Sequence, residues 1–232
     1  MMHLSEYMRH VITEVHESVW IAQRNGRTKD GIDATDPAIV KMFDMSRRGD
    51  GVDSLAELNI VPVSVSYEWE SCDKLKALEL YAHQKYGHYE KQPDEDLNSI
   101  LTGIMQPKGH VHFHLCEPVT EADLLKMGGP SSNDYFKHVA LLMDKRINGN
   151  YYLHPNNYIA HDLRDGTMTY ADRYTSEQKE AFVQYMHWMD EHPDKDRKTL
   201  QDIFLGIYAN PVDQHLKTVI LSTADSQPSR CC

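Results

Sequence analysis

The chain has 232 residues, 41% of them hydrophobic and 25% charged, a composition that supports a folded core and excludes disordered and fibrous classes. No window approaches the roughly 18 apolar residues of a membrane-spanning helix. With 24 basic against 35 acidic side chains the formal charge is −11, which excludes a broad nucleic-acid surface because the long-range field would repel phosphate.

Read in chain order, Leu4, Met8, Val11, Ile12 and Val15 fall at helical spacing, so an amphipathic helix opens the sequence. The β-rich run SVWIAQ then predicts a buried strand, followed by the basic loop RNGRTKDG. PAIVKMFDMS predicts a short helix opening at Pro37, and DSLAELN a turn or a second short helix. In IVPVSVSYEWE, Val61, Val63 and Val65 alternate with small or polar residues, which predicts a strand. Pro62 inside it requires an edge or a bulge, because proline donates no ladder hydrogen bond. Helices follow from Lys74 to Tyr86 and from about Asp94 to Met105, and then a third strand in GHVHFHL. Beyond Pro118 the pattern is helical, with Thr120 as a cap.

The expected fold is α/β: a partial mixed sheet of three strands flanked by helices, with a helical C-terminal region. Residues 1–118 form the α/β region, 119–223 a helical extension of the same domain, and 224–232 a disordered tail of polar composition. The four cysteines, Cys72, Cys116, Cys231 and Cys232, have no zinc spacing and read as reduced thiols of a cytoplasmic protein.

Three constellations bear on chemistry. The basic loop places Arg24, Arg27 and Lys29 among Gly26 and Gly31, where flexible backbone and charge-assisted donors suit an anion such as phosphate. A solvated surface turn is the competing reading. His110, His112 and His114 fall on one face of the third strand. Successive ligands about 6.5 to 7 Å apart are too extended to close a tetrahedron, so they read as structural or surface histidines and no metal is expected. Asp94, Glu95 and Asp96 favour the positive end of a helix dipole. Walker, GxGxxG, GxSxG and HExxH patterns do not occur.

In order and spacing, WIAQRNGRTKDG followed about thirty residues later by IVPVSVSYE resembles the third and fourth sequence blocks of the glycerolphosphate and lysophosphatidate acyltransferase family. GHVHFHLCEPV resembles the strand and turn that follow, so the resemblance covers about residues 15 to 120. It implies an α/β enzyme that transfers a fatty acyl group from acyl-CoA or acyl carrier protein to a glycerol-phosphate or lysophosphatidate acceptor. An HxxxxD dyad would activate the acceptor hydroxyl, no cofactor would be needed, and contact with the membrane would be peripheral on its cytoplasmic face. Carried over, Arg27 is the main contact for the acceptor phosphate, with Arg24, Asn25, Gly26, Thr28, Lys29 and Gly31 completing the cradle. Val61, Pro62 and Val63 line the acyl or acceptor pocket.

Two departures qualify the implication. The family's glutamate before the glycine is replaced by Asn25, or by Arg24 in the alternative register, which removes a negative charge that would hold an arginine fork. No histidine has aspartate five positions on; the nearest form is His112 with Glu117. The expectation is an N-terminally truncated member without a catalytic residue and with little activity, the alternative being a non-catalytic phosphate- or lipid-binding module.

Overall fold

The computed structural model describes residues 1–24, 28–49, 51–131 and 134–225. In chain order its elements are α1 (Met2–His10), a π-helical turn (Val11–Val15), α2 (Pro37–Asp44), α3 (Asp53–Ala56), β1 (Val63–Tyr67), α4 (Asp73–Tyr86) and α5 (Glu95–Met105). Then come β2 (Val111–Leu115), α6 (Glu121–Lys126), α7 (Tyr135–Gly149), α8 (Pro155–Asp165), α9 (Ser176–Tyr185), a 3-10 turn (Met186–Glu191) and α10 (Arg197–Asp225). They fall into two compact units interleaved along the sequence. The first takes residues 1–27, 33–64 and 114–150, the second 28–32, 65–113 and 151–232.

The first unit is organised by a buried cation. Asp36 caps α2 by accepting the Ala38 N–H at 2.8 Å, with Pro37 in the first turn, where its missing donor costs nothing. Thr120 and Asp123 form a reciprocal capping box on α6. Met8, Val40, Phe43, Leu55, Leu124 and Val139 belong to the core these helices close. Arg9 lies inside it, 2% exposed. Its guanidinium donates to Ser46 Oγ at 2.9 Å, the Ser54 carbonyl at 2.7 Å and the Phe43 carbonyl at 3.3 Å, and pairs with Glu57. That full set of acceptors is what allows a charge to be buried at all.

The second unit is a helical assembly with an aromatic core. Tyr81 of α4, Ile159 of α8, Phe182 of α9, Trp188 of the 3-10 turn and Phe204 and Tyr208 of α10 pack together. Phe182 meets Tyr208 edge-on at 5.3 Å and stacks on Trp69 at 5.8 Å. Helix α10 runs through Pro211, which lacks the N–H that the Ile207 carbonyl would otherwise accept. Gly31 fills that position: with φ at +76° it lies so close that a Cβ would collide with the Ile207 oxygen and touch Pro211 Cδ at 3.1 Å.

Strand content differs from expectation. The described residues contain one two-stranded sheet, β1 with β2, and the bonds Glu68 N–H to His110 O and Cys116 N–H to Pro62 O make it antiparallel. The expected three-stranded mixed sheet is therefore corrected to an antiparallel pair within a mixed, mainly helical fold. The SVWIAQ segment forms no strand, and Trp20 within it is 70% exposed. A β-branched run becomes a strand only where an edge is available to pair with it, and this one takes no part in the β1–β2 sheet, its Gln23 carbonyl accepting instead the Asp36 N–H at 2.9 Å. Pro62 behaves as its chemistry requires. It precedes β1 and takes part in the pairing as an acceptor, from Cys116 N–H at 2.9 Å.

Gly31→Ala should be destabilising by more than ~1 kcal/mol, since both the left-handed backbone and the Ile207 carbonyl oppose a Cβ. Thermal unfolding checks this: a melting temperature equal to that of the wild type would show that residue 31 does not seat against α10.

Candidate functional site

The residues assigned to a phosphate cradle have unequal fates. Asn25, Gly26 and Arg27 lie outside the described residues. Arg24 and Thr28 are half-buried. Lys29 is already engaged: its ammonium pairs with Glu79 of α4. The Asp30 carbonyl accepts from Asn210 Nδ2 at 2.8 Å, and Gly31 packs on the bend of α10. Residues 28–31 thus follow the surface of α4 and α10 as an anchored strap rather than standing free. Of the assigned pocket residues, Val61 is 38% exposed and Val63 half-buried, while the Pro62 carbonyl is occupied by Cys116.

Strand alternation gives the sheet two contrasting faces. In the antiparallel register Val63 lies opposite Leu115, Val65 opposite Phe113 and Tyr67 opposite Val111. Val111, Phe113 and Leu115 are 46%, 54% and 64% exposed. Ser64 and Ser66, on the other face of β1, are buried. This inverts the usual arrangement, in which the apolar face of an antiparallel sheet packs on the core.

A second cluster forms on the polar face within the second unit. Ser66 lies opposite His112, and His110 lies opposite Glu68, whose Oε2 accepts the His110 backbone N–H at 2.8 Å. Above them stand Tyr152 and His154, at the entrance to α8. The His154 ring is 5.4 Å from that of His110 and 4.8 Å from that of Tyr152, and His112 is 5.0 Å from Tyr152. His154 Nε2 lies 3.2 Å from Ser66 Oγ. Burial pushes the His154 imidazole below its usual range, and His110 adds to this, against a bond to the Ser66 backbone and the charge of Glu68. Ser66 and His154 meet at the distance of a nucleophile and its base, but both are 1% exposed, so the pair clamps α8 to β1 and presents no nucleophile to a substrate. Among the described residues no group of three or more His, Cys, Asp or Glu side chains is arranged to hold a metal ion. His114 belongs to the first unit.

His154 and Tyr152 escaped the sequence reading because they lie some forty residues from the strand histidines. The alternation of Tyr152 and His154 just before Pro155, itself a helix-opening residue, is the signal that could have placed them on one face at a helix start.

The same unit contains a buried carboxyl. Asp73, at the start of α4 and 2% exposed, accepts from Tyr208 Oη at 2.6 Å and Tyr185 Oη at 3.0 Å. Burial pushes its pKa up to about 6, against the pull of the two hydroxyls and the Lys74 N–H.

Comparisons with protein-family models, with curated proteins and with solved structures find no match. Among the described residues no helix is long and apolar enough to cross a membrane.

The Asp73 shift carries a sign. With the folded pKa near 6 and an ordinary value of 3.8, the folded state holds a proton that the unfolded chain releases between these values. This carboxyl's contribution is therefore complete below pH 3.8 and is lost as pH rises through 6, on the order of 3 kcal/mol in all. In urea unfolding, the stability difference between wild type and Asp73→Asn should shift in favour of the wild type as pH falls from 6 to 4. A difference that stays constant with pH would show that Asp73 is ionised throughout.

Proposed function

We propose that this chain supplies the acceptor-side elements of an acyltransferase of the glycerolphosphate and lysophosphatidate type, which moves a fatty acyl group from acyl-CoA or acyl carrier protein to a glycerol-phosphate acceptor. The order of the basic loop and the proline strand underlies the reading. The observation that carries it is the apolar sheet face left open to water beside that strand, with Leu115 and Phe113 more than half exposed. An exposed apolar surface rimmed by polar residues favours a bound apolar ligand or partner, and a long acyl chain meets that description. In this reading Val61 and Val63 contribute to the acyl-contacting surface, while Arg27 and Lys29 address the acceptor phosphate.

The base is the missing component. No histidine of the sequence has aspartate five residues on, and the buried Ser66–His154 pair does not substitute for it. A binding role for the chain by itself is therefore the second reading, favoured by that absence. Incubated with radiolabelled palmitoyl-CoA and glycerol 3-phosphate, the chain should give no acylated product. It should nonetheless bind glycerol 3-phosphate, with about tenfold weaker binding in Arg27→Ala, in line with the loss of a charge-assisted contact. Robust transfer abolished by that substitution would overturn the inactive assignment; failure to bind glycerol 3-phosphate would overturn the acceptor reading.

Peripheral contact with lipid belongs to the same proposal. Leu97, Ile100, Leu101, Ile104 and Met105 recur at helical spacing on α5, and each is between 48% and 78% exposed. An aliphatic stripe of this kind suits the headgroup–acyl boundary of a bilayer. Because the protein is acidic, neutral vesicles are the suitable probe. The chain should co-float with phosphatidylcholine vesicles, and Ile104→Asp should abolish that; wild-type protein left at the bottom of the gradient would refute the assignment.

A further inference from the structure

We propose that His154 is an acid-released latch: while neutral it holds the entrance of α8 against β1, and on taking up a proton in mild acid it lets that entrance move off the strand.

Three features of the site oppose a positive charge on this ring. His154 is the N-cap of α8 and shares a capping box with Asn157, so an imidazolium there would stand at the positive end of the helix dipole. It lies buried between the helix and Ser66, where a charge without a paired counter-charge is costly. The exposed ring of His110 is 5.4 Å away, close enough for a second imidazolium to repel the first. Among the described residues, the groups that face His154 are His110 and His112 from β2 and its approach, Ser66 and Glu68 from β1 and its end, and Tyr152 from the segment leading into α8. Helix α10 meets it through Asn157, whose Nδ2 donates to the Tyr208 carbonyl. Glu68 is the acid of this set, and its Oε2 is engaged by the His110 backbone N–H.

The folded value of His154 lies below the ordinary 6.5, with burial as the largest cause and His110 next. The closed entrance therefore excludes a proton that the opened one accepts. Its contribution is complete above pH 6.5 and is lost as pH falls below that value. The release is local, because the body of α8 is held independently: Ile159 and Ala160 belong to the aromatic core, and Asp162 accepts from Tyr174 Oη at 2.8 Å. Asp73, in the same unit, responds with the opposite sign, since a pKa of about 6 makes its contribution complete in acid. Falling pH thus loosens the entrance of α8 while the tie between α4 and α10 tightens, and the opening is confined to Tyr152, His154 and the first turn of the helix.

Backbone hydrogen exchange of the full chain at pH 7.5 and pH 5.5, corrected for intrinsic rates, tests the latch. Protection of the His154 and Asn157 amides should fall by up to about tenfold in acid, the limit for uptake of one proton by an ordinary histidine, while the Phe204 and Tyr208 amides of α10 keep theirs. His154→Asn retains a capping side chain without a titrating ring and should show no such fall. Equal protection of the wild type at both pH values, a fall that persists in His154→Asn, or one shared equally by α10 would each overturn the proposal. Should circular dichroism show that His154→Asn does not fold, the ring resonances of the wild type decide: His154 half-protonated below pH 6.5 supports the latch, and at or above 6.5 it overturns it.

Discussion

The second unit depends on where Asp73 sends its two oxygens. One accepts the Tyr208 hydroxyl and the other that of Tyr185, so the start of α4 is tied to α10 and to the end of α9 through one carboxyl. Tyr208 extends the connection: its hydroxyl accepts the Glu70 N–H at 3.1 Å, and its backbone carbonyl accepts from Asn157 Nδ2 at 2.8 Å. Asn157 in turn holds the backbone N–H of His154 at the entrance to α8, and its neighbour Asn156 holds the Glu68 carbonyl at the end of the β1 ladder. The imidazole cluster is therefore the outer end of a continuous polar network that begins at a buried acid. Such networks specify a single arrangement because each member left unpaired would bear a desolvation cost of about 1–3 kcal/mol.

This also explains which parts of the fold were legible in the sequence. Helices α2, α6 and α9 announce themselves by local rules: Asp36 before Pro37, Thr120 with Asp123, and Thr175 with Gln178. Helix α4 closes on Gly87 in the left-handed conformation, as expected of its sequence. Helix α8 lies in the segment read as helical beyond Pro118, but its bounds are not set by hydrophobic periodicity, because polar residues account for much of what it buries, Asn156, Asn157 and Asp162 among them. The continuity of α10 through Pro211 is likewise hidden from local rules. Pro211 reads as a stop, yet Gly31, 180 residues earlier, covers the carbonyl that the proline leaves unpaired.

The candidate site follows the same division between local and distant information. The concentration of basic residues in the loop and the proline just before β1, which makes that strand able to be only partly paired, are both properties of a few adjacent residues. That Lys29 already has a carboxylate partner in Glu79, and that His110 and His112 share their surroundings with His154, depend on elements forty to fifty residues away. Sequence patterns report which groups are present. Their competition for partners is decided by packing.

The inverted sheet connects these observations. Burying Ser64 and Ser66 while leaving Phe113 and Leu115 in water runs against the hydrophobic effect, at roughly 25 cal/mol for each Å² of apolar surface left exposed. The polar side is held in place by specific bonds: Ser66 to His154, Glu68 to the His110 backbone, and Asn156 to the Glu68 carbonyl. Turning the strands over would break all of these together, so the network fixes which face is covered. The polar clamp thus fixes an exposed position for Phe113 and Leu115 without any rearrangement of the strands. A preformed surface of this kind avoids the ordering cost that weakens binding to mobile segments.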